Sequence, residues 1–351
     1  MSRTSILWTV LSVVALVLPL NVVVHAAEAT PAEQRAVAER FCAKAVMSKV
    51  VYDDAGNVIK LAVSNHAAFW PHKDKPVPPG IDNELFREVL KLTKLQAIFL
   101  EKQPLSDESY ALLKQLKALQ DVRLHYPAGV RAKPAEAAPV PATADFALCI
   151  NDLPGLKVLQ LKHIFSVPGD GIAKLKPQSE LEHAELDTIC SGPSAVPFLK
   201  AATKLRNLQV HRTSMSDAQL QEVLAALPNL EVLELRPNNQ PKEGFITGRS
   251  LRGLKHCPKL RVLHISLQWK ELPWDGGLDV LATLPHLQQV VLAPSDLKEL
   301  SVDSPQIRKL HEARPDLLIV IGGKSIGGKP GQQKVGIDDG YDWGGSVTTH
   351  G

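Results

Sequence analysis

One nine-residue phrase, Leu-Pro-x-Leu-x-x-Leu-x-Leu, recurs along this chain and restricts its possible folds more than any other feature. It spells out Leu153, Pro154, Leu156, Leu159 and Leu161, then Leu227, Pro228, Leu230, Leu233 and Leu235. Two further copies begin at Cys257 and Leu284, with Cys257 standing where the others have Leu. Self-similarity at a period of about 20–50 residues is the mark of a solenoid, in which units stack because none can bury its apolar face alone. Along an extended strand, side chains alternate between the two faces. The Leu positions therefore turn inward, and the residues between them turn out.

Strands are expected first at 58–63, then at 98–100, 122–124, 159–161, 184–186, 208–210, 233–235, 263–265, 290–292 and 318–320. Their spacing is mostly about 24–30 residues. Helix-period segments at 106–116 and 217–227 lie between strands, and each opens on a Ser-Asp pair suited to a helix start. Before the repeats, 31–47 carries an amphipathic spacing through Val37, Phe41, Ala45 and Val46, which predicts a capping helix. Asp82 is a candidate cap for the next helix. Strand, turn, helix, repeated, gives an α/β solenoid of nine or ten units over 58–321, preceded by a cap at 27–57.

Two stretches break the period. Residues 127–144 are rich in Ala and Pro, with no apolar repeat, and are expected to loop out as an insertion. From 322 onward the chain turns Gly-rich and is expected to be a disordered tail. Tyr341 and Trp343 give that tail an alternative reading as a docking peptide.

The first residues read as an address. Arg3 precedes an apolar run over 6–18, and Val24-His25-Ala26 offers a small-residue cleavage pattern, so 1–26 is expected to be a secretory signal peptide. Pro19 and Asn21 interrupt the run and argue against a stable membrane span. The expected location is outside the cytoplasm: periplasmic, cell-surface or extracellular. The formal charge of +3 falls by the one charge of Arg3 to +2 on cleavage. No basic run stands out, so nucleic acid is not an expected partner.

Four cysteines remain, Cys42, Cys149, Cys190 and Cys257. Cys257 and Cys149 fall at core positions, as free Cys often does. Buried free thiols and a bridge among Cys42, Cys149 and Cys190 both stay open.

These phrases resemble the leucine-rich repeat superfamily, and within it the ribonuclease-inhibitor-like units that alternate a strand with a true α-helix. The turns at 213–217 and 103–107 resemble those of exported bacterial members. The resemblance implies a horseshoe with a parallel sheet on the concave face and helices on the convex face. It implies protein binding through the sheet, without catalysis. Asn often stands three residues after the last strand Leu in that family. Here Asn238 fits, while Gln103, Thr213, Gln268 and Ser295 hold the equivalent places.

The outward columns are where function is expected. One holds Phe99, Arg123, Gln160, Glu185, Gln209, Glu234, His264 and Val291. The next holds Glu101, His125, Lys162, Asp187, His211, Arg236, Ser266 and Ala293. Neighbours about 4.8 Å apart form either a solvated ladder of compensating charges or a face that docks another protein. The docking reading selects Arg123, Gln160, Lys162, Glu185, Asp187, Gln209, His211, Glu234, Arg236 and His264. A rival is a metal or small-ligand site around His183, Asp187 and His211, in which Asp187 pairs with His211. Another is a carbohydrate platform on the loop bearing Trp269 and Trp274. No nucleophile aligns with His and Asp at a recognisable turn, so neither a catalytic residue nor a cofactor is expected.

Overall fold

A computed structural model describes residues 28–66, 76–126, 143–162, 171–188, 192–237, 246–267, 277–294, 301–332, 334–335 and 348–349. The expected signal peptide, most of the insertion, Cys190, Asn238, Gln268, Ser295, the Trp269/Trp274 loop, Tyr341 and Trp343 lie outside those residues. Among the described residues, no helix is long and apolar enough to cross a membrane.

Among the described residues, thirteen strands form one sheet. In chain order they are β1 Met47–Tyr52, β2 Val58–Ser64, β3 Ala97–Glu101, β4 Asp121–His125, β5 Val158–Lys162, β6 His183–Asp187 and β7 Asn207–Thr213. The remainder are β8 Val232–Pro237, β9 Val262–Leu267, β10 Gln289–Pro294, β11 Leu318–Ile321, β12 Lys324–Ile326 and β13 Thr348–Thr349. From β2 to β11, each strand pairs in parallel with the next. The chain returns between strands through short helices such as Val196–Ala201 and Asp217–Ala225, and through 3-10 turns such as Ala144–Ile150 and Gly248–His256. This is an α/β leucine-rich-repeat solenoid. The units do not all carry a true α-helix. In the segment expected to be helical from 106 to 116, the α-helix stops at Tyr110 and tightens into a 3-10 turn over Ala111–Gln115.

The repeated phrase builds the spine directly. Leu153, Leu156, Leu159 and Leu161, and their equivalents through Leu292, are at most 2 % exposed. The turn before each strand repeats one bond: Lys157 N–H donates to Gln120 O, Glu182 to Lys157, Arg206 to Glu182, Glu231 to Arg206 and Arg261 to Glu231, all at 2.8 Å. Each acceptor carbonyl also takes the next N–H, so entry into the strand is locked from unit to unit. Glycine is required where successive units touch: a Cβ on Gly171 would lie 2.2 Å from Ala144 O, and one on Gly277 2.3 Å from Gly248 O.

The Ser-Asp starts serve two purposes. Ser216 accepts from Gln219 N in a capping box. Asp217 beside it reaches to the next unit, accepting from Thr247 N and Oγ1, both at 2.6 Å. Asp107 does the same for Thr143, at the end of the expected insertion. Ser106 differs from Ser216: its side chain makes no cap bond, and its N–H donates to Asn83 Oδ1 instead.

Both ends differ from the sequence expectation. The N-terminal helix ends at Cys42 and is followed by β1, which pairs antiparallel with β2. Buried Gln34 ties the helix to this edge, accepting from Val58 N and donating to Asn57 Oδ1. At the other end, the chain expected to be disordered from 322 opens with a hairpin. Gly322 and Gly323 have φ of 53° and 85° and turn β11 into antiparallel β12. A pair of residues with positive φ is what a tight type I′ hairpin requires. The glycines that ended the aliphatic period therefore mark a turn. Further on, Thr348 and Thr349 add β13 to β1 at the opposite edge of the sheet.

Candidate functional site on the open face of the sheet

Register places Phe99, Arg123, Gln160, Glu185, Gln209, Glu234, His264, Val291 and Val320 side by side across nine strands. Ser64, Glu101, His125 and Lys162 form the neighbouring column, which resumes with Asp187, His211 and Arg236. These residues face away from the leucine spine, yet most of them are buried. Gln160 is 0 %, Glu185 and Glu234 1 %, and Gln209 2 % exposed. A solvated ladder is therefore the wrong description of the centre of this face. Arg236, with its side chain 52 % exposed, is the main exception.

Buried charges need partners, and here they form a chain across five strands. Lys162 Nζ lies 2.6 Å from Glu185 Oε1, and His211 Nδ1 lies 3.5 Å from the same oxygen. The other ring nitrogen of His211 faces Glu234 Oε2 at 3.5 Å. Arg236 Nε donates to Glu234 Oε1 at 2.5 Å, and His264 Nδ1 is 3.5 Å from that oxygen. Burial works against ionisation of Glu234, but the close approach of His211 and the Arg236 charge outweigh it and hold its carboxyl at about 2. Burial lowers the His264 pKa, with Glu234 pulling the other way. Glu185 Oε2 finds no hydrogen-bond partner among the described residues.

Toward the N-terminal end the face changes character. Arg123 donates to both carboxylate oxygens of Asp121 at 2.8 Å, a bidentate pair within one strand. Phe99 meets His125 edge-on at 4.8 Å between ring centroids, and His125 Nε2 lies 3.2 Å from Gln160 Oε1.

The metal rival does not assemble around Asp187. Asp187 and His211 are register neighbours, but His211 turns to Glu185 and Glu234 while the Asp187 carboxylate pairs with Arg212 and accepts from Thr188 Oγ1. His183 sits two columns away from Asp187, beside Asn207. Among the described residues, no group of three His, Cys, Asp or Glu side chains is arranged to hold a metal ion. The described cysteines Cys42, Cys149 and Cys257 are free and buried. Burial pushes the Cys149 and Cys257 thiols up to about 12.

Sequence reasoning missed the edge of this face. Lys102, Tyr126, Thr188 and Arg212 each follow the last column residue of a strand, and each has φ between 47° and 57°. Left-handed backbone at non-glycine residues costs about 1–2 kcal/mol, so four equivalent instances point to a turn set by the stack. Lys102 Nζ sits 4.8 Å above the Tyr126 ring, and Arg212 Nε donates to Thr188 Oγ1 at 3.3 Å. None of these residue types signals such a backbone. Only their common offset from the strand does. Of the turn positions that often carry Asn in leucine-rich repeats, Gln103 accepts from Ile81 N and donates to Glu101 O, and Thr213 accepts from Met215 N.

No family model matches the chain, and no curated protein does. Among solved structures, the chain is similar to a plant peptide hormone receptor, RGFR1, in complex with RGF2: 14 % identity, TM-score 0.27, over 62 % of this chain and 31 % of that one. It is similar also to the leucine-rich-repeat protein LIC12759 of Leptospira interrogans: 17 % identity, TM-score 0.36, over 66 % of this chain and 56 % of that one. The matches thus span about a third and just over half of those proteins.

Proposed function

We propose that this chain is a non-enzymatic scaffold that binds another protein outside the cytoplasm through the open face of its sheet. The observation that carries the reading is the in-register network from Lys162 through Glu185, His211 and Glu234 to Arg236 and His264. It fixes polar groups on a stiff parallel sheet and leaves the Arg236 side chain half exposed. Rigid placement of polar groups gives an interface its specificity, because the cost of ordering them has already been met. The signal-like pattern of Arg3, the apolar run and Val24-His25-Ala26 supports action beyond the cytoplasm. High thiol pKa values at Cys149 and Cys257 make nucleophilic chemistry there a poor competitor.

The test is capture from a native envelope extract, with the wild type beside Arg236→Gln. Arg236 is half exposed, so this change removes the outward charge without setting a like charge against buried Glu234. A partner held by the wild type and lost by the variant supports docking at this face, and equal recovery overturns it. Zinc calorimetry is expected to give no heat that depends on His211.

A further inference from the structure

Toward its C-terminal end the open face turns apolar. Gln289, the first residue of β10, is in register with Val262 on β9 and Leu318 on β11. Val291 stands two residues further along β10, on the same face. All three apolar neighbours are buried, and Gln289 among them is only 1 % exposed. A primary amide buried without partners is costly, and the side chains beside this one in register offer it no polar atom.

Its partner is the main chain of one residue. Gln289 Nε2 donates to Val335 O at 2.8 Å, and Gln289 Oε1 accepts from Val335 N at 2.7 Å. A strand residue exchanges the same two bonds with the residue opposite it in an antiparallel ladder; here a side chain makes them. The Val335 side chain takes no part, being 54 % exposed. The clamp therefore reads backbone and ignores side chain. Val335 is led there by a short strap. Gly328 N–H donates to Pro315 O at 3.2 Å, and a Cβ at Gly328 would lie 3.2 Å from Leu318 Cδ1. Lys329, Pro330, Gly331 and Gln332 then make a type II turn, with Gln332 N–H donating to Lys329 O at 2.9 Å and Gly331 at φ 77°. Gln332 Nε2 donates to Gln288 O at 3.1 Å, directly beside the clamp.

We propose that Gln289, on its floor of Val262, Val291 and Leu318, is a receptor for the backbone of an extended peptide, and that Val335 is a resident occupant which a partner segment replaces. Nothing in the two bonds depends on valine, so any residue with a free N–H and C=O in extended conformation can make them. Recognition of extended peptides commonly divides the work this way, with main-chain hydrogen bonds holding the peptide and side chains selecting it. Gln289 supplies the hold. Selection falls to the charged network that begins one strand away at His264 and runs through Glu234 and Arg236. The inference rests on the docking reading of this face and adds the form of the partner: a protein that presents an extended segment and not a helix.

The test uses the full chain carrying Val335→Pro, which removes the N–H given to Gln289 Oε1 and so vacates the receptor. The probe is a fluorescent, C-terminally amidated synthetic peptide with the sequence of residues 329–335, followed by anisotropy. Val335→Pro should bind it at least about fivefold more tightly than the wild type, whose receptor is filled. Adding Gln289→Leu, which suits the apolar floor, should remove that gain. A peptide N-methylated at its valine should bind no better to Val335→Pro than to the wild type, while one with threonine in place of valine should bind like the parent. Equal binding by wild type and Val335→Pro, a gain that survives Gln289→Leu, or sensitivity to the side chain without sensitivity to N-methylation overturns the proposal. Hydrogen exchange gives a second readout: the Val335 amide should exchange at least about tenfold faster in Gln289→Leu, and an unchanged rate also overturns it. None of these measurements needs a foreign partner. A chain that binds the peptide and captures no protein keeps the receptor and loses the scaffold function, and peptide binding that fails beside capture sensitive to Arg236→Gln does the reverse.

Discussion

The two faces of the same strands are both buried, but by opposite means. On the core face, Leu159, Leu208, Leu233 and Leu263 stack in register with Ala184, and any neighbour of similar size and polarity serves. Their burial is non-directional and roughly proportional to area. On the open face, Glu185, His211 and Glu234 are buried almost as deeply, and each depends on particular charged partners on the strands beside it. A desolvated charge tolerates no substitute of the wrong sign. Stacking alone therefore produces a core that is nearly additive from unit to unit, and across the sheet from it a polar network that acts as one piece.

That contrast is breakable, most severely on the apolar side. Leu233→Ala is expected to cost about 2–5 kcal/mol, because the stack on both sides keeps the cavity from collapsing; urea unfolding measures it. Its effect should add to that of the distant Leu292→Ala within about 0.5 kcal/mol. Glu234→Gln keeps the shape and removes the charge that His211, Arg236 and His264 share, with an expected loss of about 1–3 kcal/mol. Here a double-mutant cycle with Lys162→Met, three strands away, should show coupling carried through Glu185 and His211. Simple additivity would mean that the network is only a set of separate pairs. Gly171→Ala lies on neither face and tests the stacking itself: the Ala144 carbonyl at 2.2 Å must move, at about 1–3 kcal/mol by chemical denaturation.

Acid titration separates the faces without mutation. The Glu234 carboxyl is depressed in the folded state to about 2, so its contribution is fully present above its ordinary value near 4.5 and is lost as pH falls through about 2. His264, also depressed, favours the folded state while neutral, above its ordinary value near 6.5, and that contribution is lost as pH falls through its lowered folded value. The wild type should therefore lose stability on acidification, and Glu234→Gln should lose less of it below pH 4.5; parallel curves would remove Glu234 from the account. The smallest effect belongs outside both faces. Lys309→Ala removes an exposed pair with Asp279 and should change stability by less than about 1 kcal/mol.

Much of this architecture was legible because the repeat writes its own period. Leu-x-x-Leu-x-Leu fixes strand position, and alternation fixes which side chains share a face. The columns through Gln160, Glu185 and Gln209 follow from those two facts. The helices were less legible, since short segments such as 107–115 satisfy the same spacing whether they wind as α or tighten to 3-10. The ends were misread for definite reasons. Asp53 to Asn57 gives a turn, but only pairing with β2 shows that Met47–Tyr52 before it is a strand. Gly322 and Gly323 resemble a breakdown of structure until the antiparallel β12 reveals a hairpin.

The sequence by itself determined the solenoid, its strands and the identity of the outward residues, because those depend on local alternation and a repeated apolar spacing. Tertiary structure decided who pairs with whom. It gave Asp187 to Arg212 and His211 to two glutamates, since side-chain reach across a 4.8 Å spacing depends on rotamers and neighbours that no period encodes. It also decided that the outward face is buried. That is a long-range property, and it leaves no trace in the spacing of the repeats.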